Sequence, residues 1–153
     1  MVVFRLSKRK YADRLSGRGA AKYANRWNSM GTEIIYTSES RALAMAEVAV
    51  HLTLATLPDD YVMIEINIPD KLSIEQVHFK DLPANWASSP PVTSTQRIGD
   101  AFVSSMQACV LKVPSAVVPG DYNFLLNPHH KDFKQIKIIK VVPFVFDKRI
   151  FQN

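Results

Sequence analysis

The chain has 153 residues, of which 47% are hydrophobic and 22% charged, and a net charge of +5. This composition predicts one folded domain over residues 1–153 and excludes an intrinsically disordered chain. Its single cysteine, Cys109, excludes an internal disulfide. No apolar run reaches the roughly 20 residues of a membrane span, and no signal-peptide core precedes the first strand. We therefore expect a cytoplasmic protein without membrane association.

The predicted elements are short strands and two helices. Strands are expected at Val2–Leu6, Glu33–Thr37, Tyr61–Pro69, Ile74–Phe79, Cys109–Val113 and Gln135–Phe146, with Lys148–Gln152 as a candidate seventh. Helices are expected at Arg41–Thr56, after N-cap candidates in Ser38–Ser40, and at Thr95–Ala108, with Ser94 or Thr95 as cap. Because strands and helices do not alternate regularly, the predicted class is α+β rather than a doubly wound sheet.

Three segments are predicted as loops. Ser16–Gly19 contains two flexible glycines, and residues 83–96 form a Pro/Ser-rich loop that is long for a compact domain. Long loops are often functional. Residues 119–130 are also rich in turn formers.

The charges are unevenly distributed along the chain. Residues 5–26 carry eight basic side chains and one acidic one, whereas residues 27–130 carry five basic and eleven acidic side chains. A basic segment of this kind indicates a solvated face, a nucleic-acid partner or a phosphate-bearing small molecule.

Glu47 is the most distinctive candidate for chemistry. It is the only formally charged residue between Arg41 and Asp59, inside an otherwise apolar helix. A carboxylate in such a place either lies at the rim of the helix beside a lysine or is held in a cleft, where its charge is poorly screened.

Further candidates precede this helix. Arg26 offers a planar donor fork that matches phosphate or carboxylate, although it also fits a surface loop beside a core Trp27. Tyr36 and Ser38 lie two residues apart in or just after a strand, and therefore on one face if the strand continues. An aromatic ring there can stack on a heterocycle or simply belong to the core.

The second half of the chain offers weaker signals. Ser115 follows a strand but has no GxSxG sequence around it, which argues against a serine hydrolase. Asn123 and Asn127 offer side-chain amides. His129 and His130 are adjacent and would point to opposite faces in a strand, so no metal site is predicted. The sequence contains neither a P-loop nor a GxGxxG motif.

Taken together, these segments resemble the RES domain family, which is named for an arginine, a glutamate and a serine. The matching pieces are Phe4–Leu6, Asn25–Glu47 and Val113–Phe133. Their order and spacing match the family over nearly the whole chain. The run from Asn25 to Glu47 is the part of the match that is most specific for the family. By this resemblance the three name residues are Arg26, Glu47 and Ser115.

The resemblance implies both a fold and an activity. RES proteins are toxins of bacterial toxin–antitoxin pairs, with a fold similar to ADP-ribosyltransferases: a split, curved β-sheet with flanking helices and a cleft for NAD⁺. Members degrade NAD⁺ by hydrolysis or phosphorolysis, or transfer ADP-ribose to a protein. The expected partners are NAD⁺ as substrate, without a metal, and an Xre-type antitoxin. A homodimer within a larger complex is possible, and DNA would be contacted only through the antitoxin.

The resemblance also implies roles for individual residues. Glu47 would stabilise positive charge on the ribose carbon, and Arg26 would hold the diphosphate or the ribose. Tyr36 would stack on the nicotinamide. Ser115 and Asn123 would hydrogen-bond the ribose or the amide, and Ser38 joins the NAD-binding set. The sequence departs from the family at His130-Lys131, where His-Pro is common, and at the basic run Lys8–Lys10.

Three alternatives to NAD⁺ degradation remain at this stage. A protein ADP-ribosyltransferase would use the same residues. A nucleic-acid-binding module based on residues 5–26 leaves Glu47 unexplained, because a carboxylate repels phosphate. An interaction domain without catalysis is disfavoured by the intact set of Arg26, Tyr36, Glu47 and Ser115.

Overall fold

The computed structural model describes residues 1–152, and seven of its strands form one mixed sheet in the order β4-β5-β6-β2-β1-β3-β7. The strands are β1 (Val2–Lys8), β2 (Ile35–Ser38), β3 (Tyr61–Asn67), β4 (Ile74–Gln76), β5 (Val110–Pro114), β6 (Tyr122–Leu126) and β7 (Lys137–Pro143). The helices are α1 (Arg18–Ala21), α2 (Arg41–Ala49) and α3 (Thr93–Ser105). The predicted α+β class is therefore confirmed.

The sheet is nearly divided in the middle. Strands β1 and β2 share a single paired position, Phe4 opposite Ser38. By contrast, β1 pairs with β3 along the whole range Val2–Lys8, and β2 pairs with β6 along Ile35–Ser38. All neighbours are antiparallel except β4 and β5, which are parallel and are connected through α3. The predicted split sheet is thus observed as two halves joined at one point.

Apolar side chains cover the sheet in three clusters. On β3, Val62, Ile64 and Ile66 belong to one cluster, while Met63 packs with Leu6 and Phe146 in another. This alternation follows from the two-residue period of a strand. A third cluster contains Trp27 and Phe102 and lies between α3 and the β4–β6 half of the sheet. The first cluster also includes Ile35 and Phe124, so it spans both halves of the sheet, whereas each of the other two clusters packs mainly on one half.

Helix α2 begins as predicted and ends early. Ser40 is its N-cap, and the Ser40 hydroxyl accepts a hydrogen bond from the Leu43 amide at 3.0 Å. The predicted helix to Thr56 is wrong, because the α-helix stops at Ala49. Beyond it the His51 and Leu52 amides bond three residues back, and a separate 3₁₀ turn covers Leu54–Thr56. Glu47 consequently lies in the last turn of a nine-residue helix.

Several other predicted boundaries are wrong. The predicted strands at Ile74–Phe79 and Gln135–Phe146 are shorter, because 3₁₀ turns occupy residues 79–81 and 133–135. Lys148–Phe151 is also a 3₁₀ turn and does not close the sheet. The seventh strand is instead β6, within a segment predicted as turns. Residues 18–21, partly in the predicted glycine loop, form the short helix α1.

Helix α3 lies directly on the backbone that follows Arg26. It starts after Val92 without a side-chain cap, so the predicted Ser94 or Thr95 cap is wrong. The Thr95 hydroxyl instead donates to the Val92 carbonyl at 2.9 Å. A Cβ on Gly99 would lie 1.6 Å from the Trp27 carbonyl oxygen. Only a glycine permits this approach of helix and loop.

Candidate functional site

A cleft of about 860 Å³ opens where β1 and β2 separate. Its walls are β1, β2 and α2, together with residues from the segments 19–26, 87–91 and 116–117. A volume of this size is typical of small-molecule sites. The cleft exists because the two strands stop pairing after Phe4 and Ser38.

Glu47 is fixed in the cleft through one of its two oxygens. Oε1 accepts hydrogen bonds from Ser115 Oγ at 2.7 Å and from Asn123 Nδ2 at 2.5 Å. The Asn123 side chain is itself held, because its Oδ1 accepts from Ser38 Oγ at 2.7 Å. Within residues 1–152, Oε2 has no hydrogen-bond partner and is not a buried unsatisfied atom. Oε2 is therefore available to a ligand in the cleft.

Ser115 lies behind Glu47 rather than on the wall of the cleft. Its side chain is buried, and its hydroxyl accepts from the amides of Val117 at 3.1 Å and Val118 at 3.0 Å. The same hydroxyl donates to Glu47. Since the donor and two acceptor positions are all used, this hydroxyl is placed to orient the carboxylate.

Tyr36 and Asn28 connect the cleft wall to the loop that carries Arg26. The Tyr36 hydroxyl donates to Asn28 Oδ1 at 2.7 Å and accepts from the Trp27 amide at 3.2 Å. Burial raises the pKa of Tyr36 above its usual value, so the phenol stays neutral. Asn28 is fully buried and its Nδ2 donates to the carbonyls of Ala20 and Tyr23. One asparagine thereby holds several parts of the cleft wall together.

Arg26 lines the cleft and also holds the long loop that was predicted from the sequence. Its Nη1 donates to the carbonyls of Trp86 at 2.7 Å and Ser88 at 3.1 Å. Burial lowers the pKa of Arg26, and the charge of Glu47 partly offsets that shift. The guanidinium still carries its charge at neutral pH, because arginine has a very high intrinsic pKa.

We expect Arg26→Lys to loosen residues 83–91. A lysine keeps the charge but loses the planar fork, and a hydrogen bond to a charged group contributes about 1.5–3 kcal/mol. The amides of Trp86 and Ser88, which bond to Pro83 and Asn85, should then exchange with deuterium about 10- to 100-fold faster. Arg97→Lys, at an exposed position on α3, is the matched control. Unchanged exchange at both amides contradicts the prediction.

Arg5 is a cleft residue that the sequence analysis did not select. Its Nη1 donates to the Tyr36 carbonyl at 2.9 Å, across the gap where β1 and β2 no longer pair. Burial lowers its pKa, and no carboxylate within residues 1–152 forms a salt bridge with it. Its sequence signals were its place in the basic segment 5–26 and in the matching piece Phe4–Leu6. Two arginines and one carboxylate thus share the cleft.

The remaining candidates lie elsewhere. Asn127 is fully buried, and its amide donates to the Val103 carbonyl at 3.1 Å, which joins α3 to β6. His129 and His130 face different carboxylates, Glu33 and Asp132. Over residues 1–152, no cluster of three or more His, Cys, Asp or Glu side chains is suited to hold a metal ion. In the same range no helix is both long and apolar enough to cross a bilayer.

The fold and its cleft define an α+β protein with a cleft of small-molecule size between the halves of a split sheet. The RES domain model matches residues 2–147. The chain belongs to the RES domain family, as its sequence resemblance implied.

Named relatives share this sequence over nearly its whole length. The "Prs ADP-ribosylating toxin" of Sphingobium sp. (strain YBL2) is 38% identical and the match covers 93% of this chain and 89% of the relative. The "Toxin Res" of Photorhabdus laumondii is 36% identical, with 98% and 97% covered. A "Toxin Res" of Yersinia enterocolitica is also 36% identical, with 98% and 99% covered.

A solved structure shares the fold. A chain of the crystal structure of the M. tuberculosis MbcT-MbcA toxin–antitoxin complex superposes with a TM-score of 0.73 at 20% identity. The match covers 94% of this chain and 83% of that chain. The architecture described above is therefore one that a toxin–antitoxin complex contains.

Proposed function

We propose that this protein is a toxin that cleaves the bond between nicotinamide and ribose in NAD⁺, and that an antitoxin neutralises it. One observation carries the proposal: Glu47 is held through Oε1, leaves Oε2 available, and shares its cleft with two arginines. The sequence relatives named as toxins support the biological role.

The chemistry follows from the charges that develop during cleavage. When the bond breaks, its electron pair goes to the nicotinamide nitrogen, and positive charge develops on the ribose carbon. A fixed carboxylate beside that carbon stabilises the charge without reorganising. Nicotinamide leaves as a neutral molecule, and the acceptor that attacks the ribose carbon loses a proton. Glu47 Oε2 is the group for this role.

The other cleft residues bind and orient the dinucleotide. Arg5 and Arg26 would hold the diphosphate, because guanidinium groups match phosphate oxygens. Tyr36 offers a neutral ring for the nicotinamide. Ser38 and Asn123 would act close to the nicotinamide ribose, although both already belong to the network that fixes Glu47. No metal is needed in this arrangement.

We assign Ser115 a positioning role rather than direct contact with substrate. Ser115→Ala is expected to lower kcat about tenfold with little change in KM, since Glu47 loses one of its two anchors. The free energy of unfolding should fall by about 2 kcal/mol, because two amides lose their acceptor. Steady-state kinetics and urea unfolding measure both effects. The control is Ser104→Ala on the exposed side of α3, and a raised KM at constant kcat would instead indicate direct contact.

The first experiment is NAD⁺ turnover by the purified protein, freed of any bound partner, with and without inorganic phosphate. Mass spectrometry identifies the products. Nicotinamide with ADP-ribose indicates hydrolysis, and nicotinamide with phosphorylated ADP-ribose indicates phosphorolysis. If NAD⁺ persists and no protein becomes modified, the proposal is wrong.

Transfer of ADP-ribose to a protein is the second candidate. The Sphingobium relative, at 38% identity, is named as an ADP-ribosylating toxin. Glu47 would act identically, and only the acceptor would differ. Biotin-labelled NAD⁺ incubated with a bacterial lysate distinguishes the two, since transfer leaves label on a protein and degradation does not.

We place the protein in the cytoplasm with an antitoxin of the Xre type, either as a single toxin chain or as a toxin dimer within that complex. The structural likeness to a toxin–antitoxin complex supports the antitoxin. A nucleic-acid-binding module is less well supported. Arg5 and Arg26, two cations of the basic segment, line the cleft instead of an open surface that a nucleic-acid backbone could follow.

A further inference from the structure

Tyr23 is an exposed aromatic residue that lines the cleft and has no part in the reaction described above. The residue is 69% exposed, and it borders the same cleft as Glu47. Among residues 1–152, no aromatic ring stacks on it and no side chain bonds to its hydroxyl. Gly19, Ala20 and Ala24, which also line the cleft, have no side chain long enough to cover the ring.

The backbone of Tyr23 is nevertheless held firmly. Its amide donates to the Ala20 carbonyl at 3.3 Å. Its carbonyl accepts from Asn25 Nδ2 and Asn28 Nδ2, both at 3.1 Å. A ring on an anchored backbone loses little conformational entropy on binding, because only two side-chain torsions remain to be fixed.

The hydrogen-bond network connects Tyr23 to the reacting carboxylate through several intermediate residues rather than directly. Asn123 and Ser38 link Glu47 to β2, and Tyr36 is two residues back, about 7 Å along a strand. The Tyr36 hydroxyl then bonds to Asn28, whose amide bonds to the Tyr23 carbonyl. Tyr23 and Glu47 therefore belong to different parts of the cleft wall, and Tyr23 lies three residues before the phosphate-binding candidate Arg26.

We propose that Tyr23 is the surface on which the heterocycle distant from the cleaved bond stacks, so that it determines specificity for the dinucleotide over nicotinamide mononucleotide. The proposal depends on the proposed function for the identity of that heterocycle, which is the adenine of NAD⁺. Stacking of a base on an aromatic side chain contributes about 1–3 kcal/mol. Arg26 lines the same cleft as Tyr23, and a cleft that offers both a guanidinium and an exposed ring favours a ligand that joins a base to phosphates.

The test is calorimetric titration of the purified protein with ADP and, separately, with nicotinamide mononucleotide, which lacks adenine. Tyr23→Ala and Tyr23→Leu should raise the Kd for ADP by about 5- to 100-fold. Both variants should leave the Kd for the mononucleotide unchanged. Tyr23→Phe and Tyr23→Trp keep a π face and should bind ADP within about twofold of the parent. Tyr11→Ala removes another exposed tyrosine, which packs on Lys10 outside the cleft, and should change neither Kd.

The proposal is overturned if ADP does not bind, if Tyr23→Ala leaves the Kd for ADP unchanged, or if both ligands weaken equally. NAD⁺ turnover on the same variants separates this idea from the proposed function. If ADP binding depends on Tyr23 but NAD⁺ is not consumed, the stacking role of Tyr23 is supported and the proposed reaction is wrong. If NAD⁺ is consumed while the Kd for ADP does not depend on Tyr23, the proposed reaction is supported and the stacking role of Tyr23 is wrong.

Discussion

Glu47→Gln is expected to lower kcat for NAD⁺ cleavage by about 10²- to 10³-fold, the range seen when one preorganised electrostatic contact is removed. The amide oxygen can take the place of Oε1 and keep the bonds from Ser115 and Asn123. The NH₂ group then replaces the charged Oε2 on the cleft side. The substitution thus keeps the shape of the site and removes the charge that faces the ribose carbon.

The measurement is product formation with circular dichroism and thermal unfolding on the same sample. Glu75→Gln is the matched control, because Glu75 lies on β4 and does not line the cleft. Expression without antitoxin adds a second readout, since growth should recover with Glu47→Gln and not with Glu75→Gln. Undiminished turnover in a folded Glu47→Gln protein would falsify the assignment.

Gly99→Ala should cause the largest loss of stability. The new Cβ would lie 1.6 Å from the Trp27 carbonyl oxygen and 2.6 Å from the Trp27 carbonyl carbon. Both are backbone atoms, so no rotamer change relieves the clash and α3 must move away. Such movement separates Trp27 from Phe102 in their shared core cluster. We expect the free energy of unfolding to fall by about 3 kcal/mol or more.

Thermal unfolding checks this prediction, since 3 kcal/mol corresponds to roughly 10 °C in a chain of this size. Gly19→Ala is the control, because its Cβ would meet nothing within 4 Å and alanine favours a helix. Turnover should fall as well in Gly99→Ala, because Trp27 directly follows Arg26. A melting temperature within about 2 °C of the parent would show that α3 does not need glycine there.

Much of the sheet was predictable because its strands have local signals. The β-branched runs in β1, β2, β3, β5 and β7 identified them without tertiary information. Strand β6 was missed because its short run at Tyr122–Leu126 is bordered by Gly120-Asp121 and Asn127-Pro128, which indicate turns. The end of α2 was also missed, because nothing in the apolar run after Ala49 indicates a break before Pro58. Flanking turn formers thus concealed the strand β6, and the continued apolar sequence concealed the end of α2.

The site was predictable in part. Glu47 was recognisable as an isolated charge in an apolar helix, and Arg26, Tyr36, Ser38 and Asn123 do line the same cleft. Their mutual contacts were not predictable, because Ser38 and Asn123 are 85 residues apart in sequence. Nor does any local pattern show that Ser115 is buried behind the carboxylate. The roles of these residues in catalysis stay predictions.

The network around Glu47 also bears on when a newly synthesised chain acquires the proposed activity. The carboxylate is synthesised 68 residues before Ser115 and 76 residues before Asn123. A nascent chain whose β5 and β6 are still inside the ribosome has the glutamate without either anchor. Pairings between distant segments are also slow to form. The proposed activity would therefore begin only after β5 and β6 have left the ribosome and paired, which leaves an interval in which an antitoxin can bind a chain whose carboxylate is not yet positioned.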